Sequence, residues 1–329
     1  MARKFRSREA TDDTDDATSR DVTQATRPKA MLETERTAIE QHLSPPYLLA
    51  VPRVQTVPFV FCSPHSGRVY TDAFLGASRL TANSLRKSED CYVDDLFAGV
   101  AALGAPLIAA RFPRAYVDVN REPYELDPEL FEESLPAFAN SRSIRVAGGL
   151  GTIARVVADA EEIYKGRLPL AVALERIERL YKPFHGALAS LIDSTARRFG
   201  AAMLIDCHSM PSSSTGYVGP QRPDFVLGDR FGASCDGRLT RFLREELTSL
   251  GYTVHLNRPY AGGYITEYYG RPQRGLHALQ IEINRALYLN ERTFEKKPGF
   301  AVVERHLRTV VARLFNELPG MLGGREAAE

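Results

Sequence analysis

The sequence predicts an α/β protein with a mostly parallel or mixed central sheet and helices on both faces. Short apolar runs typical of buried strands alternate with longer segments that repeat apolar residues at helical spacing. Runs such as residues 201–207 are apolar on both strand faces, which is typical of strands inside a sheet that helices cover on both sides.

Length and charge limit the classes of partner. The chain has 329 residues, enough for one large or two modest domains. It carries 42 Lys and Arg against 41 Asp and Glu, a balance that argues against nucleic acid or an anionic membrane as the main partner. No apolar run approaches the roughly 20 residues of a membrane helix. The four cysteines are widely spaced, so we expect reduced thiols and a cytoplasmic location.

The first 45 residues are expected to form a disordered or weakly ordered tail. Residues 1–30 mix basic and acidic side chains with few apolar ones, so they bury too little surface to offset the entropy of ordering. Residues 31–43 predict a short helix, which Ser44-Pro45-Pro46 ends. Residues 46–329 are expected to form a single α/β domain.

Strands and helices are predicted in alternation along that domain. The predicted strands are residues 56–63, 106–110, 115–119, 201–207, 252–256 and 276–284. The predicted helices cover residues 93–103, 177–192, 239–250 and 303–318. A kink is expected at Pro183.

Two histidines lie where predicted strands end. His65 follows the strand 56–63 in Ser-Pro-His-Ser-Gly, and His208 directly follows the strand 201–207. Ligands of open α/β sheets bind beyond the carboxyl ends of the strands. A single histidine there is more often structural, but two in equivalent positions favour a shared ligand such as a metal ion.

A third metal ligand is expected to be a carboxylate, because catalytic zinc keeps three protein ligands and one open position. Asp90 is the candidate, since we expect it to open the next helix. The adjacent Glu89 competes with it, and acids are favoured in the first turn of a helix by electrostatics alone.

Glu282 is the candidate general base. It lies inside the alternating strand 276–284 on the same face as Gln280, whereas His277 lies on the apolar face and is interpreted as structural. A buried carboxylate is costly unless paired. It therefore either forms an ion pair with Arg285 or another arginine, or acts as a base of raised pKa; we favour the second interpretation.

Arginines surround the predicted strand 115–119. Arg114 precedes it and Arg121 follows it, while alternation places Asp118 and Asn120 on one face. Closely placed guanidinium groups suit an acidic substrate or a developing oxyanion. Surface arginines are common, so this pattern alone is weak evidence.

Residues 149–154 fit a loose dinucleotide-binding fingerprint, Gly-x-Gly-x-x-Ala. The rest of that unit is missing, because the sequence after it predicts helices and no second strand that ends in an acid. We therefore predict no dinucleotide site.

Taken together, these residues resemble the N-formylglutamate amidohydrolase (N-formylglutamate deformylase) family over about residues 50–295. The motifs that carry the resemblance are Ser-Pro-His65-Ser-Gly, Glu-Asp90-Cys-Tyr-Val-Asp94, Val-Asp118-Val-Asn-Arg121-Glu-Pro, Gly-Leu-Gly-Thr-Ile, Pro-Phe-His185, Asp206-Cys-His208-Ser-Met-Pro, Leu-Gly-Asp229-Arg-Phe-Gly, Pro-Tyr-Ala-Gly-Gly-Tyr and Gln280-Ile-Glu282-Ile-Asn-Arg285. The family is similar in fold to zinc-dependent exopeptidases and aspartoacylases.

The resemblance implies a metal-dependent amidohydrolase with one Zn²⁺ per chain, or another divalent ion, held by His65, Asp90 and His208. Glu282 is then the general base. Such relatives often present the acid as His-x-x-Glu, but Arg68 stands at that place here, so the acid comes from elsewhere. Asp90 matches the family best.

The resemblance also implies roles for the arginines. Asn120 and Arg121 resemble the pair that holds the substrate carboxylate, and Arg285 is a further candidate for binding the substrate. Arg114 resembles the arginine that stabilises the oxyanion. The expected reaction is hydrolysis of N-formyl-L-glutamate, a small anionic substrate, to formate and L-glutamate. The alternatives are a related zinc hydrolase acting on another N-acylated amino acid, or a non-catalytic small-molecule binding protein of the same fold.

Overall fold

The computed structural model of the chain describes residues 15–157, 160–214 and 222–322. Numbered in chain order, the strands are β1 (Tyr47–Ala50), β2 (Phe59–Ser63), β3 (Leu107–Ala110), β4 (Ala202–Met210), β5 (Phe225–Gly228), β6 (Val254–Leu256), β7 (Leu276–Asn284), β8 (Leu289–Asn290) and β9 (Glu295–Lys296). The α-helices are α1 (Asp15–His42), α2 (Asp72–Ala77), α3 (Ala82–Leu85), α4 (Val93–Phe97), α5 (Ile144–Ala147), α6 (Leu170–Arg176), α7 (Lys182–Phe199), α8 (Gly237–Ser249), α9 (Tyr264–Tyr269) and α10 (Gly299–Leu322).

Seven strands form one mixed sheet in the order β1-β3-β2-β4-β7-β5-β6. The pairs β2–β3, β2–β4, β4–β7 and β5–β6 are parallel, and β1–β3 and β5–β7 are antiparallel. The predicted fold class is therefore confirmed. Among the described helices, none combines the length and apolar character needed to cross a membrane.

Helices cover both faces of the sheet because the central strands carry apolar side chains on both faces. Successive side chains of a strand point to opposite faces. In β4, Leu204 packs in a core that includes Phe184 of α7. Its neighbour Ile205 packs on the other face in a core that includes Leu243 of α8 and Leu314 of α10. The central strands are thus buried on both sides, and polar side chains concentrate at the ends of these strands.

Several predicted boundaries differ from the structure. Residues 115–119 do not form a strand but a loop, because local turns and a hydrogen bond from the Asp118 N–H to the Thr152 carbonyl at 2.8 Å satisfy their backbone. β4 continues to Met210, so His208 lies inside the strand, near its carboxyl end. The helix expected to open at Asp90 begins at Val93. β5, only four residues long, was too short for the pattern to identify.

The N-terminal region also differs from the boundary expected at residue 46. Residues 1–14 lie outside the described residues, but Asp15–His42 forms α1. Ile39 of this helix and Leu43, the residue that follows it, are buried in the core. Glu35 is buried as well, and its carboxylate accepts hydrogen bonds from Arg176 of α6 and from the Tyr116 hydroxyl. These contacts attach α1 to the domain.

Replacing Glu35 with alanine is expected to lower the free energy of unfolding by about 3–5 kcal/mol, because it leaves the Arg176 guanidinium buried without its carboxylate. Urea denaturation measures the change. Glu33→Ala removes an exposed carboxylate from the same helix and serves as the control. Equal stability of the two variants would contradict a structural role for this ion pair.

Candidate active site

The sheet brings the two histidines and Glu282 to one edge. β2 and β4 are parallel neighbours, so His65, two residues beyond β2, lies beside the carboxyl end of β4 where His208 is found. β7 is the other parallel neighbour of β4, and Glu282 is the register partner of His208. The imidazoles of His65 and His208 have centroids 4.9 Å apart.

Asp90 joins the two histidines in a buried cluster. Its Oδ2 lies 3.0 Å from Nδ1 of His208 and 3.4 Å from Nδ1 of His65. One potential ligand atom from each residue falls within 4.8 Å of the others. The backbone N–H of Asp90 donates to the His65 carbonyl at 3.0 Å, which fixes the loop before α4 against the end of β2.

Glu89, the competing acid, faces elsewhere. Its carboxylate accepts hydrogen bonds from Arg86 Nε at 3.1 Å and from the Tyr70 hydroxyl at 3.2 Å. Of the two adjacent acids, Asp90 is therefore the one in the histidine cluster.

The cluster fits a divalent cation. Nδ1 of His65 is buried and has no hydrogen-bond partner among the described residues, while its Nε2 lies 2.7 Å from Asp118 Oδ1. A proton on Nε2 leaves the Nδ1 lone pair facing Asp90. Burial alone raises the pKa of Asp90, but the neighbouring imidazoles of His208 and His65 outweigh it and hold that pKa well below the usual range. Two imidazole nitrogens and one carboxylate oxygen form a donor set typical of catalytic zinc.

A carboxylate lies behind each histidine. Asp118 accepts from His65, and Asp206 Oδ1 lies 2.9 Å from Nε2 of His208. Asp206 also accepts from the Thr266 hydroxyl at 3.2 Å. Such outer partners set the tautomer and orientation of ligating histidines. The sequence could have indicated Asp206, because it lies two positions before His208 and residues i and i+2 of a strand share a face.

Replacing Asp118 with asparagine is expected to weaken Zn²⁺ binding by about 10–100-fold, because His65 loses the charged partner that holds its Nε2 proton. Competition with a chromophoric chelator measures the Kd directly and needs no substrate. Asp236→Asn, which removes a paired carboxylate at the start of α8, is the control. An unchanged Kd in Asp118→Asn would contradict this role.

Glu282 is buried beside the cluster. Gln280 donates from Nε2 to its Oε1 at 2.8 Å, so the two residues share a face as predicted. Burial raises the pKa of Glu282 to about 7; the charge of His208 opposes this shift and that of Asp90 adds to it. A carboxyl group with a pKa near neutrality is suited to both accept and return a proton.

Arg285 donates one hydrogen bond to Asp90 of the cluster and others to two residues next to it. Its Nη2 donates to Asp90 Oδ1 at 3.0 Å, its Nε to the Ser209 hydroxyl at 3.0 Å and its Nη1 to the Lys87 carbonyl at 2.9 Å. This geometry orients Asp90 for binding a cation. The role of Arg285 in binding substrate stays a prediction.

The loop after β3 carries the other predicted residues. Arg114 donates from Nη2 to Asp118 Oδ2 at 2.7 Å. Asn120 Oδ1 accepts from the Ile265 N–H at 2.7 Å, and its Nδ2 lies 3.3 Å from Nε2 of His208. Arg121 donates to the carbonyls of Leu150 and Asn120 at 2.9 and 2.8 Å. The loop therefore places both arginines next to the cluster.

His185 and His277 lie outside the cluster. Nε2 of His185 lies 2.8 Å from the Val119 carbonyl in the loop after β3. Burial lowers the pKa of His185 to about 4, so the ring is neutral. Nδ1 of His277 accepts from the Asp236 N–H at 3.1 Å. The structural role expected for His277 stays a prediction.

A cavity with two adjoining lobes opens over these groups. One lobe has a volume of about 290 Å³ and the other about 490 Å³, sizes typical of small-molecule sites. Both lobes are lined by Arg114, Arg121, His208, Tyr260 and Glu282. Tyr260 was not identified as a candidate from sequence, although it lies in the quoted motif Pro-Tyr-Ala-Gly-Gly-Tyr.

Comparison with known proteins gives relatives with one activity in their names. A family model described as N-formylglutamate amidohydrolase matches residues 57–289. The N-formylglutamate deformylase of Pseudomonas putida is 30% identical over 238 residues, which are 71% of this chain and 83% of that protein. The N-formylglutamate deformylase of Pseudomonas aeruginosa is 29% identical over 274 residues, 82% of this chain and 95% of that protein.

Solved structures agree with these matches. The N-formylglutamate amidohydrolase of Ralstonia eutropha JMP134 has a TM-score of 0.79 and 37% identity, covering 82% of this chain and 97% of that one. A gene product of Agrobacterium tumefaciens has a TM-score of 0.59 at 17% identity, covers 83% of this chain and 95% of that one, and shows a similar fold. The matched residues include the whole cluster and Glu282, and this chain belongs to the N-formylglutamate amidohydrolase family.

Proposed function

We propose that this protein is a metal-dependent amidohydrolase that cleaves the formyl amide of N-formyl-L-glutamate to formate and L-glutamate. The observation that carries the proposal is the buried His65, Asp90 and His208 cluster, with Glu282 beside it in the wall of the two-lobed cavity. The names of the family and of the Pseudomonas relatives support the choice of a formylated substrate.

His65, Asp90 and His208 hold the metal ion, which we propose to be Zn²⁺. A bound zinc ion acts as a Lewis acid and lowers the pKa of water from 15.7 to about 7. The chain's own contribution is to keep the three ligands in place. Asp118 fixes the imidazole of His65 and Arg285 fixes the carboxylate of Asp90, each by a hydrogen bond described above. The carboxylate of Asp206, 2.9 Å from Nε2 of His208, orients the second imidazole by its charge.

Glu282 moves the proton. The structure records a hydrogen bond from Gln280 to Oε1, and we assign proton transfer to Oε2. Glu282 accepts a proton from the attacking water as oxygen adds to the formyl carbon. It then returns that proton to the amide nitrogen as the C–N bond breaks, so the released amine leaves neutral. A pKa of about 7 suits both directions of transfer.

The arginines bind negative charge. Arg114 lines both lobes of the cavity and donates toward the formyl oxygen as negative charge develops on it. Asn120 and Arg121 bind the α-carboxylate of the substrate. A small anionic substrate suits this arrangement because guanidinium groups pair with carboxylates through two parallel hydrogen bonds.

A cytoplasmic location is part of this proposal. All four cysteines are free and buried, which favours a reducing compartment.

Formate release from a panel of N-formyl amino acids and N-acetyl-L-glutamate tests the proposed function, with zinc measured before and after chelation. We expect highest kcat/KM with N-formyl-L-glutamate, about one zinc per chain, loss of turnover on chelation and recovery on adding zinc. Faster turnover of another N-acyl amino acid would assign a different amidohydrolase activity. A chain that holds no metal and hydrolyses none of these compounds would identify a non-catalytic binding protein.

A further inference from the structure

N-formyl-L-glutamate has two carboxylates, and the residues assigned above bind only one of them. The following inference rests on the proposed function, because it concerns the side-chain carboxylate of that substrate. Burying a second carboxylate without a cationic partner is costly. A second cation is therefore required in the cavity wall.

We propose that Arg145 binds the side-chain carboxylate and sets the preference for an acidic amino acid. Arg145, in α5, lines the 290 Å³ lobe together with His65, Arg121 and Glu282. Two of the three candidate metal ligands, the candidate base and Arg145 therefore face the same lobe.

The five cations that line the two lobes differ in how closely they are already paired. The shortest ion-pair distances are 2.7 Å for Lys87 and Arg114, 3.0 Å for Arg285, 3.6 Å for Arg121 and 4.0 Å for Arg145. A close carboxylate partner offsets the charge of a cation and occupies part of its hydrogen-bond donors. Arg145 has the longest such distance of the five, so binding a carboxylate costs it the least.

A glycine-rich turn holds Arg145 at the cavity wall. The Arg145 carbonyl accepts from the Leu150 N–H at 2.8 Å, and Gly149 has a φ of 72° that favours glycine. A Cβ at Gly151 would lie 2.2 Å from the Glu125 carbonyl oxygen, so only glycine lets this turn pack so closely. The motif that resembles a dinucleotide fingerprint therefore has a different role: it positions α5 and Arg145.

Glu125 supports Arg145 from the protein side. It is buried, and its Oε1 accepts from the Ser143 hydroxyl. Its Oε2 has no hydrogen-bond partner among the described residues and lies 4.0 Å from Nη1 of Arg145. The pair leaves the remaining guanidinium donors of Arg145 for a ligand, while the charge of Glu125 limits the repulsion that a third arginine adds to the lobe.

The 290 Å³ lobe has an excess of positive charge. Arg114, Arg121 and Arg145 line it, and Glu282 is the one acidic residue among its described lining residues. Burial lowers the pKa of Arg121; Asp118 opposes this shift, whereas the charges of Arg114 and Arg145 add to it. A dicarboxylate entering the lobe relieves this repulsion among the arginines.

Arg145→Gln tests the inference, with N-formyl-L-glutamate and its neutral analogue N-formyl-L-glutamine as substrates. We expect kcat/KM for N-formyl-L-glutamate to fall about 10–100-fold, the loss typical of a hydrogen bond to a charged group. The value for N-formyl-L-glutamine is expected to change less than about 3-fold, so the preference for the acidic substrate is largely lost. Binding of L-glutamate, compared with L-glutamine by calorimetry, gives the same comparison without turnover.

Arg142→Gln is the matched control, since Arg142 is exposed and lies three positions before Arg145. It is expected to keep the wild-type preference. If Arg145→Gln does not fold, Arg145→Lys tests the inference instead. It keeps the charge but loses the planar guanidinium, so we expect an intermediate preference.

The outcomes separate the two proposals. A wild-type enzyme that hydrolyses N-formyl-L-glutamate, with a substrate preference unchanged in the folded Arg145 variant, would overturn the role of Arg145 alone. A wild-type chain that hydrolyses neither formyl substrate would overturn the proposed function and this inference with it.

Discussion

Replacing Glu282 with glutamine is expected to lower kcat by about 10²–10⁴-fold and to leave the zinc content at its wild-type level. Glutamine keeps the size of the side chain and leaves an oxygen to accept the hydrogen bond from Gln280. It carries no carboxylate to accept a proton. The substitution therefore removes the base while the three candidate metal ligands stay in place.

Formate release under saturating substrate measures kcat, and elemental analysis of the same sample measures zinc. Glu267→Gln is the control, because Glu267 is an exposed carboxylate paired with Arg230 outside the cluster. It is expected to keep wild-type kcat. A Glu282→Gln variant with normal zinc content and undiminished kcat would refute the role of Glu282 as the base.

Local patterns predicted the parts of this site that lie in the central sheet. His65 and Glu282 were placed correctly because a buried strand has a short, recognisable period and because its carboxyl end is where polar residues collect. His208 lies inside β4 rather than after it. The error did not affect the predicted convergence, since the strand still brings its side chain to the same edge.

The loops were predicted less well, because their conformation depends on contacts that are distant in sequence. The residues around Asp118 alternate like a strand but form a loop. The backbone N–H of Asp118 in this loop donates a hydrogen bond to the Thr152 carbonyl. Arg145 gave no sequence signal of its own. Its position depends on the turn through Gly151, which packs against Glu125. The spacing of apolar residues along the sequence does not predict that contact.

Composition alone gave a poor description of the N-terminal segment. A high density of charged residues is typical of a disordered tail. In α1, however, Glu35 is buried with Arg176, a residue 141 positions away. Distant ion pairs, of which Glu35 with Arg176 is the buried one described above, attach this helix to the rest of the chain. The apolar residues Ile39 and Leu43 at its end pack in the core. Sequence composition does not show which charged residues form ion pairs in the folded protein.

Replacing Asp90 with asparagine is expected to abolish stable zinc binding and to reduce turnover at least about 10³-fold, to the level of the chelated wild-type protein. A Lewis-acid metal supplies several kcal/mol of transition-state stabilisation, and each 1.36 kcal/mol is a factor of ten in rate. Asparagine is close in size to aspartate and keeps an oxygen for the hydrogen bond from Arg285. The loss is therefore one of charge and of a metal ligand rather than of packing.

Metal content after dialysis and the Kd for Zn²⁺ are the direct measurements, and thermal unfolding checks the fold. Asp95→Asn is the control, because Asp95 pairs with Lys296 outside the cluster and is partly exposed. A variant at Asp90 that binds zinc as tightly as the wild type would exclude Asp90 as a ligand. We expect zinc binding and turnover to be lost together while thermal unfolding stays cooperative, because two histidines alone hold the ion too weakly.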